Sequence, residues 1–109
     1  MTQDQNALDR LQAVIAARAG TAPDQSYTAK LLSKGTPRIA KKFGEEAIEL
    51  VIAAVEADKP AIISESADVL YHWLVLLQSA DISPQDVYAE LDRRHGQSGL
   101  EEKAQRAKD

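Results

Sequence analysis

Apolar residues recur along this 109-residue chain at spacings of three and four, the period that lines one face of a helix. Leu8, Leu11 and Ile15 mark an N-terminal amphipathic helix ending around Ala19-Gly20. Ser26 suits the cap of a short helix over Tyr27 to Lys34, closed by Gly35, which tolerates a left-handed backbone. Thr36-Pro37 reads as a cap followed by a first helical residue, where proline has no N–H to lose. Ile39, Phe43, Ala47, Leu50 and Ala54 then carry helical spacing until Asp58-Lys59-Pro60 breaks it. Pro60 opens a second long helix that is apolar nearly all round between Val69 and Leu77, so more than one of its faces should be buried. Ser83-Pro84-Gln85-Asp86 starts a last helix with Val87, Tyr88 and Leu91 on its apolar side. No segment alternates with period two. The expected fold is all-α, a helical hairpin core of about four to five helices, in one domain spanning residues 1–109. Residues 1–25 are its N-terminal helix and loop, and 96–109 a polar tail expected to be mobile. A lone hairpin of this size buries little, so two chains are expected to pair into a four-helix-bundle-like homodimer.

Composition narrows the function classes. Hydrophobic residues at 44% and charged residues at 28% describe a globular chain rather than a disordered one. Seventeen acids against thirteen bases give a net charge of −4, which argues against a nucleic-acid binder. The absence of cysteine removes disulfides, thiolate zinc sites and a cysteine nucleophile. The longest apolar run, Val69 to Leu77, falls far short of the ~20 residues of a membrane helix. The opening MTQDQNALDR has no secretory pattern, so the expected setting is the cytoplasm, with no membrane partner.

Acidic residues are arranged in a way that suggests chemistry. Glu45, Glu46 and Glu49 on the first long helix face Glu65 and Asp68 on the second. Glu46 and Glu49, like Glu65 and Asp68, are three apart, which sets each pair on one helix face. Folding the chain at Asp58-Lys59-Pro60 places Glu49 opposite Glu65 and Glu46 opposite Asp68, because both pairs have their midpoint at residue 57. Four converging carboxylates repel unless a cation lies between them. A hard divalent ion with oxygen ligands, Mg²⁺ or Mn²⁺, fits that donor set. Zinc fits less well without cysteine or a histidine pair. The plainer reading is a solvated face with helical pairs Lys41–Glu45 and Lys42–Glu46.

From Ser26 through Gly44 the chain carries Lys30, Lys34, Arg38, Lys41 and Lys42 and no acid. A basic run leading into EEAIE suits a metal-bound, phosphate-bearing substrate, since lysines and metal can share its oxygens. With neither a Gly-rich phosphate loop nor a dinucleotide fingerprint present, phosphate binding would fall to side chains and metal. His72, four residues after Asp68, and Arg94, near a helix C-terminus, are candidates for supporting a ligand or touching substrate. A buried structural histidine and an arginine complementing the helix dipole are the alternatives.

Three segments carry a resemblance: SYTAKLLSKG, KKFGEEAIELVIAA and ESADVLYHWLVLL, extended by DVYAELDRR and SGLEEK. Together they resemble the phosphoribosyl-ATP pyrophosphohydrolases, one branch of the MazG-like all-α nucleotide pyrophosphohydrolases, from about Ser26 to Lys103. The resemblance implies hydrolysis of 1-(5-phosphoribosyl)-ATP to 1-(5-phosphoribosyl)-AMP and pyrophosphate in histidine biosynthesis. It implies Mg²⁺ ligation by Glu46, Glu49, Glu65 and Asp68, with Glu45 as ligand support or as base for the attacking water. Lys30, Lys34, Lys41 and Lys42 match basic positions of the family and would meet the polyphosphate. Two rivals stand beside this reading: a pyrophosphohydrolase of free nucleoside triphosphates, and a helical dimerisation module without catalysis.

Overall fold

The computed structural model describes residues 6–95 and residue 106, and among these every regular element is a helix. The tail from Gly96 onward lies, residue 106 apart, outside the described residues. In chain order the elements are α1 (Ala7–Arg18), a 3-10 turn (Pro23–Gln25), α2 (Tyr27–Ser33), α3 (Thr36–Val55), α4 (Lys59–Ser79) and α5 (Pro84–Arg94).

Polar caps start these helices as their residue types suggest. Ser26 accepts the Ala29 N–H at 3.2 Å, Asp58 the Ala61 N–H at 3.1 Å, and Ser83 the Gln85 N–H at 3.1 Å. Each satisfies a backbone donor that the first helical turn leaves without a partner. The α2–α3 junction differs from expectation by one residue. Gly35, with φ at 88°, flanks α3 directly, and Thr36 lies inside its first turn. The Thr36 hydroxyl therefore caps nothing; it shares a 3.0 Å hydrogen bond with the Ser79 hydroxyl, tying the start of α3 to the end of α4. α3 and α4 form an antiparallel hairpin that turns at Glu56-Ala57-Asp58. Ala57 takes a left-handed φ of 56° there, and the N–H groups of Ala57 and Asp58 return to the carbonyls of Ala54 and Ala53 at 3.1 and 3.2 Å, which closes the last turn of α3.

Burial is uneven along the hairpin. Ile15 of α1, Leu31 of α2, Ile39 of α3 and Leu74 and Val75 of α4 form one core cluster, with Leu8, Leu11, Tyr71, Trp73 and Leu76 packed around it. α1 and α2 thus cover the C-terminal half of α4, and the Val69–Leu77 stretch is largely sealed within the chain. The open apolar surface lies at the other end of the hairpin. Ile48, Val51, Ile52 and Val55 on α3 and Ile63 on α4 are exposed, Val55 at 82% and Ile63 at 72%. Ile48, Ile52 and Val55 follow the spacing of a single helix face. Because Ile39 has no exposure, Ile39→Ala should cost about 2–5 kcal/mol. Thermal denaturation should show the loss as a melting temperature lower by about 10 °C or more.

Candidate functional site

Helical geometry brings three of the expected carboxylates together. Glu49 and Glu65 stand eight residues on either side of Ala57, so the hairpin sets them at one level, and Glu46 lies a turn further along α3. One carboxylate oxygen from each of Glu46, Glu49 and Glu65 lies within 4.8 Å of the others. Glu46 turns into the seam and is buried, Glu65 is half-buried and Glu49 is exposed. Asp68, at the level of Glu46 but across the seam, is exposed and stands outside this trio. It remains an electrostatic neighbour: burial, followed by the charges of Glu49, Asp68 and Glu46, holds the Glu65 carboxyl above its ordinary pKa.

The donor set fits a hard divalent cation. All three groups offer oxygen, and the Glu65 Oε1 is buried without a hydrogen-bond partner among the described residues. A buried acceptor left unpaired beside two further carboxylates is costly until a positive group meets it. Lys42 answers only part of this. Its ammonium lies 3.4 Å from the Glu46 carboxylate, and the Glu46 hydrogen bond and charge raise its pKa. The helical pair Lys42–Glu46 is thus formed, whereas Lys41 and Glu45 make no ion pair among the described residues.

Beside the trio, a cavity of about 460 Å³ opens between α2 and the start of α3. Its cations are Lys34, Arg38, Lys41 and Lys42, and Glu45 lines it together with Tyr27 and Leu31. Glu45 and Glu46 therefore part company: Glu45 faces the basic cavity, Glu46 the acidic seam. Lys30 stands apart from the other lysines, in a second cavity of about 550 Å³ lined also by Asp24, Gln25 and Tyr27. Arg38, already part of the basic run, joins Lys34, Lys41 and Lys42 in lining the first cavity. The sequence did not single out Tyr27, which lines both cavities and has no charge pattern to mark it.

His72 is buried, and its Nδ1–H donates to the Asp68 backbone carbonyl at 2.7 Å. It thus bears on the ligand helix through the backbone and not through the Asp68 carboxylate. Arg94 is engaged elsewhere. Its guanidinium donates to the Glu90 carboxylate at 2.9 Å, and Glu90, which also pairs with Arg93, has its pKa lowered to about 2 by these hydrogen bonds. Trp73 and Tyr71 pack against the core cluster.

A family model described as phosphoribosyl-ATP pyrophosphohydrolase matches residues 8–95. A curated relative from Parvibaculum lavamentivorans, named phosphoribosyl-ATP pyrophosphatase, is 60% identical over 106 residues, 97% of either chain. Relatives of the same name from Paramagnetospirillum magneticum and Dinoroseobacter shibae are 54% and 57% identical. The former match covers 99% of either chain, the latter 91% of this chain and 97% of the relative. No helix among the described residues is long and apolar enough to cross a membrane. With a match that runs from α1 to the end of α5 and relatives aligned over nearly their whole length, the chain belongs to the phosphoribosyl-ATP pyrophosphohydrolase family.

Proposed function

We propose that the protein hydrolyses 1-(5-phosphoribosyl)-ATP to 1-(5-phosphoribosyl)-AMP and pyrophosphate, the second step of histidine biosynthesis, in the cytoplasm. The observation that carries this reading is the adjacency on α3 of a carboxylate trio and a four-cation cavity, in a chain of this family. Glu46, Glu49 and Glu65 would hold Mg²⁺ or Mn²⁺, with Asp68 contributing through its charge. When bound, the ion supplies Lewis-acid neutralisation of phosphate oxygens. Lys34, Arg38, Lys41 and Lys42 grip the polyphosphate and stabilise the charge that develops on departing pyrophosphate. Glu45, in the same cavity, takes the proton of the water that attacks the α-phosphorus. The bond from the α-phosphorus to its bridging oxygen breaks as the new one forms, and no covalent enzyme intermediate is required.

The working form in this reading is a homodimer, with the exposed face of Ile48, Ile52, Val55 and Ile63 covered by a second copy. Two such hairpins would complete a four-helix arrangement and cover these exposed aliphatic side chains.

Substrate preference tests the proposal. Phosphoribosyl-ATP should exceed ATP and other nucleoside triphosphates in kcat/KM by at least about 100-fold; equal turnover would favour a general nucleotide pyrophosphohydrolase. The cations should divide their effects. Lys41→Met and Lys42→Met, one turn before Glu45 and Glu46, should lower kcat by roughly tenfold or more, because they meet charge that develops in the transition state. Lys34→Met should act chiefly on KM. A merely solvated lysine would give about 0.3–0.5 kcal/mol of stability and no kinetic change, so steady-state kinetics with melting curves separates the two cases.

A further inference from the structure

We infer that the cavity shared by Lys30, Asp24 and Tyr27 receives the ribosyl 5-phosphate that distinguishes the substrate from ATP. This rests on the hydrolase reading above and extends it to how the substrate is told from common nucleotides. The substrate is a purine with two arms. The triphosphate hangs from the ribose at N9, and the phosphoribosyl group is attached at N1, on the opposite edge of the same flat ring. A protein that holds both arms needs two cation-bearing recesses on either side of a surface that can carry the base.

That arrangement is present. Among the described residues Tyr27 is the one side chain common to the four-cation cavity and the Lys30 cavity. Tyr27 is 57% exposed as a residue, yet its ring has an aromatic neighbour within the chain. Tyr71 stacks on it with centroids 6.5 Å apart and planes inclined by 22°. Tyr71 is itself fixed by a 2.6 Å hydrogen bond between its hydroxyl and that of Thr28. A pre-placed aromatic face of this kind stacks a purine without losing much side-chain freedom.

The charges divide in the same sense as the arms. The triphosphate, with the larger negative charge, has Lys34, Arg38, Lys41 and Lys42 on one side of Tyr27. The monophosphate has Lys30 on the other, where no carboxylate is paired to it among the described residues. Asp24 in that cavity would repel a phosphate but accept hydrogen bonds from the ribosyl hydroxyls, so it orients the sugar with its phosphate toward Lys30. At about 550 Å³ the cavity lies within the ordinary size range for small-molecule sites, roughly 300–1,000 Å³. Lys30 is thereby a specificity residue for the N1 arm, not a fifth grip on the polyphosphate.

Equilibrium binding of the reaction product to the full chain tests this directly. The wild type should bind 1-(5-phosphoribosyl)-AMP at least about tenfold more tightly than AMP, the scale of one charge-assisted hydrogen bond. Lys30→Met should remove about tenfold from the affinity for phosphoribosyl-AMP and less than about twofold from that for AMP. Asp24→Asn should act in the same direction by a smaller factor, while Tyr27→Leu should weaken both nucleotides. The assignment is overturned if the wild type shows no preference, or if the preference survives in Lys30→Met and Asp24→Asn variants that melt like the wild type. Failure of the wild type to release pyrophosphate from phosphoribosyl-ATP would instead remove the hydrolase reading, and this assignment with it.

Discussion

Glu49→Gln should lower turnover of phosphoribosyl-ATP at saturating Mg²⁺ by at least about 100-fold while leaving the helical fold intact. Glu49 is the exposed member of the trio, so its carboxylate serves the seam and contributes little to the core. Replacing it by the isosteric amide keeps the shape and removes one charge from the cation's donor set. The same change relieves repulsion on Glu65, whose carboxyl is held up in part by the Glu49 charge, so the metal-free variant should melt at or above the wild-type temperature. Asp68→Asn should cost less, about tenfold, because Asp68 stands outside the trio. The check is steady-state kinetics beside melting curves taken with and without Mg²⁺. The wild type should melt higher with Mg²⁺ and Glu49→Gln should not respond; near-normal turnover by Glu49→Gln would refute the ligand assignment.

The second large effect concerns assembly. In sedimentation at micromolar concentration the wild type should run at twice the 11.9 kDa chain mass, and Ile52→Glu should run as a monomer. Ile52 is half exposed in the single chain and lies between Ile48 and Val55 on one helix face. A carboxylate there adds to the charge of Glu49 and Glu65, which line the same recess, in the free chain as in the dimer. In a covered apolar interface it would cost a further amount of about 3 kcal/mol, a dissociation constant weaker by more than about 100-fold. Retained helicity in the variant would separate dissociation from unfolding. A wild type that sediments as a monomer would contradict the homodimer.

Much of the fold was legible because its punctuation is local. Ser26, Asp58 and Ser83 cap helices through bonds spanning two or three residues, and the left-handed Gly35 follows from the residue type. The trio was legible for a related reason: Glu49 and Glu65 sit symmetrically about a turn that the sequence marks with Asp58 and Pro60. What the sequence hid was tertiary. The all-round apolar character of Val69–Leu77 called for more than one buried face, and α1 and α2 supply the cover by docking there and placing Leu74 and Val75 in the chain's own core. That the exposed aliphatic side chains would lie on α3 and the start of α4 was not legible from spacing. Asp68 keeps the expected level but turns outward where Glu46 turns inward, a difference of helix rotation that three-residue spacing does not reveal. Lys30 on α2 and Lys34 just after its end are four residues apart yet line different cavities, with Tyr27 shared between the two spaces.

The central claim is water attack at the α-phosphorus of phosphoribosyl-ATP, and isotope placement tests it most directly. The wild-type protein should be incubated with phosphoribosyl-ATP and Mg²⁺ in ¹⁸O-labelled water and the products weighed by mass spectrometry. The expected result is one ¹⁸O in phosphoribosyl-AMP and none in the pyrophosphate released. Label in the pyrophosphate, release of inorganic phosphate in its place, or no cleavage at all would contradict it.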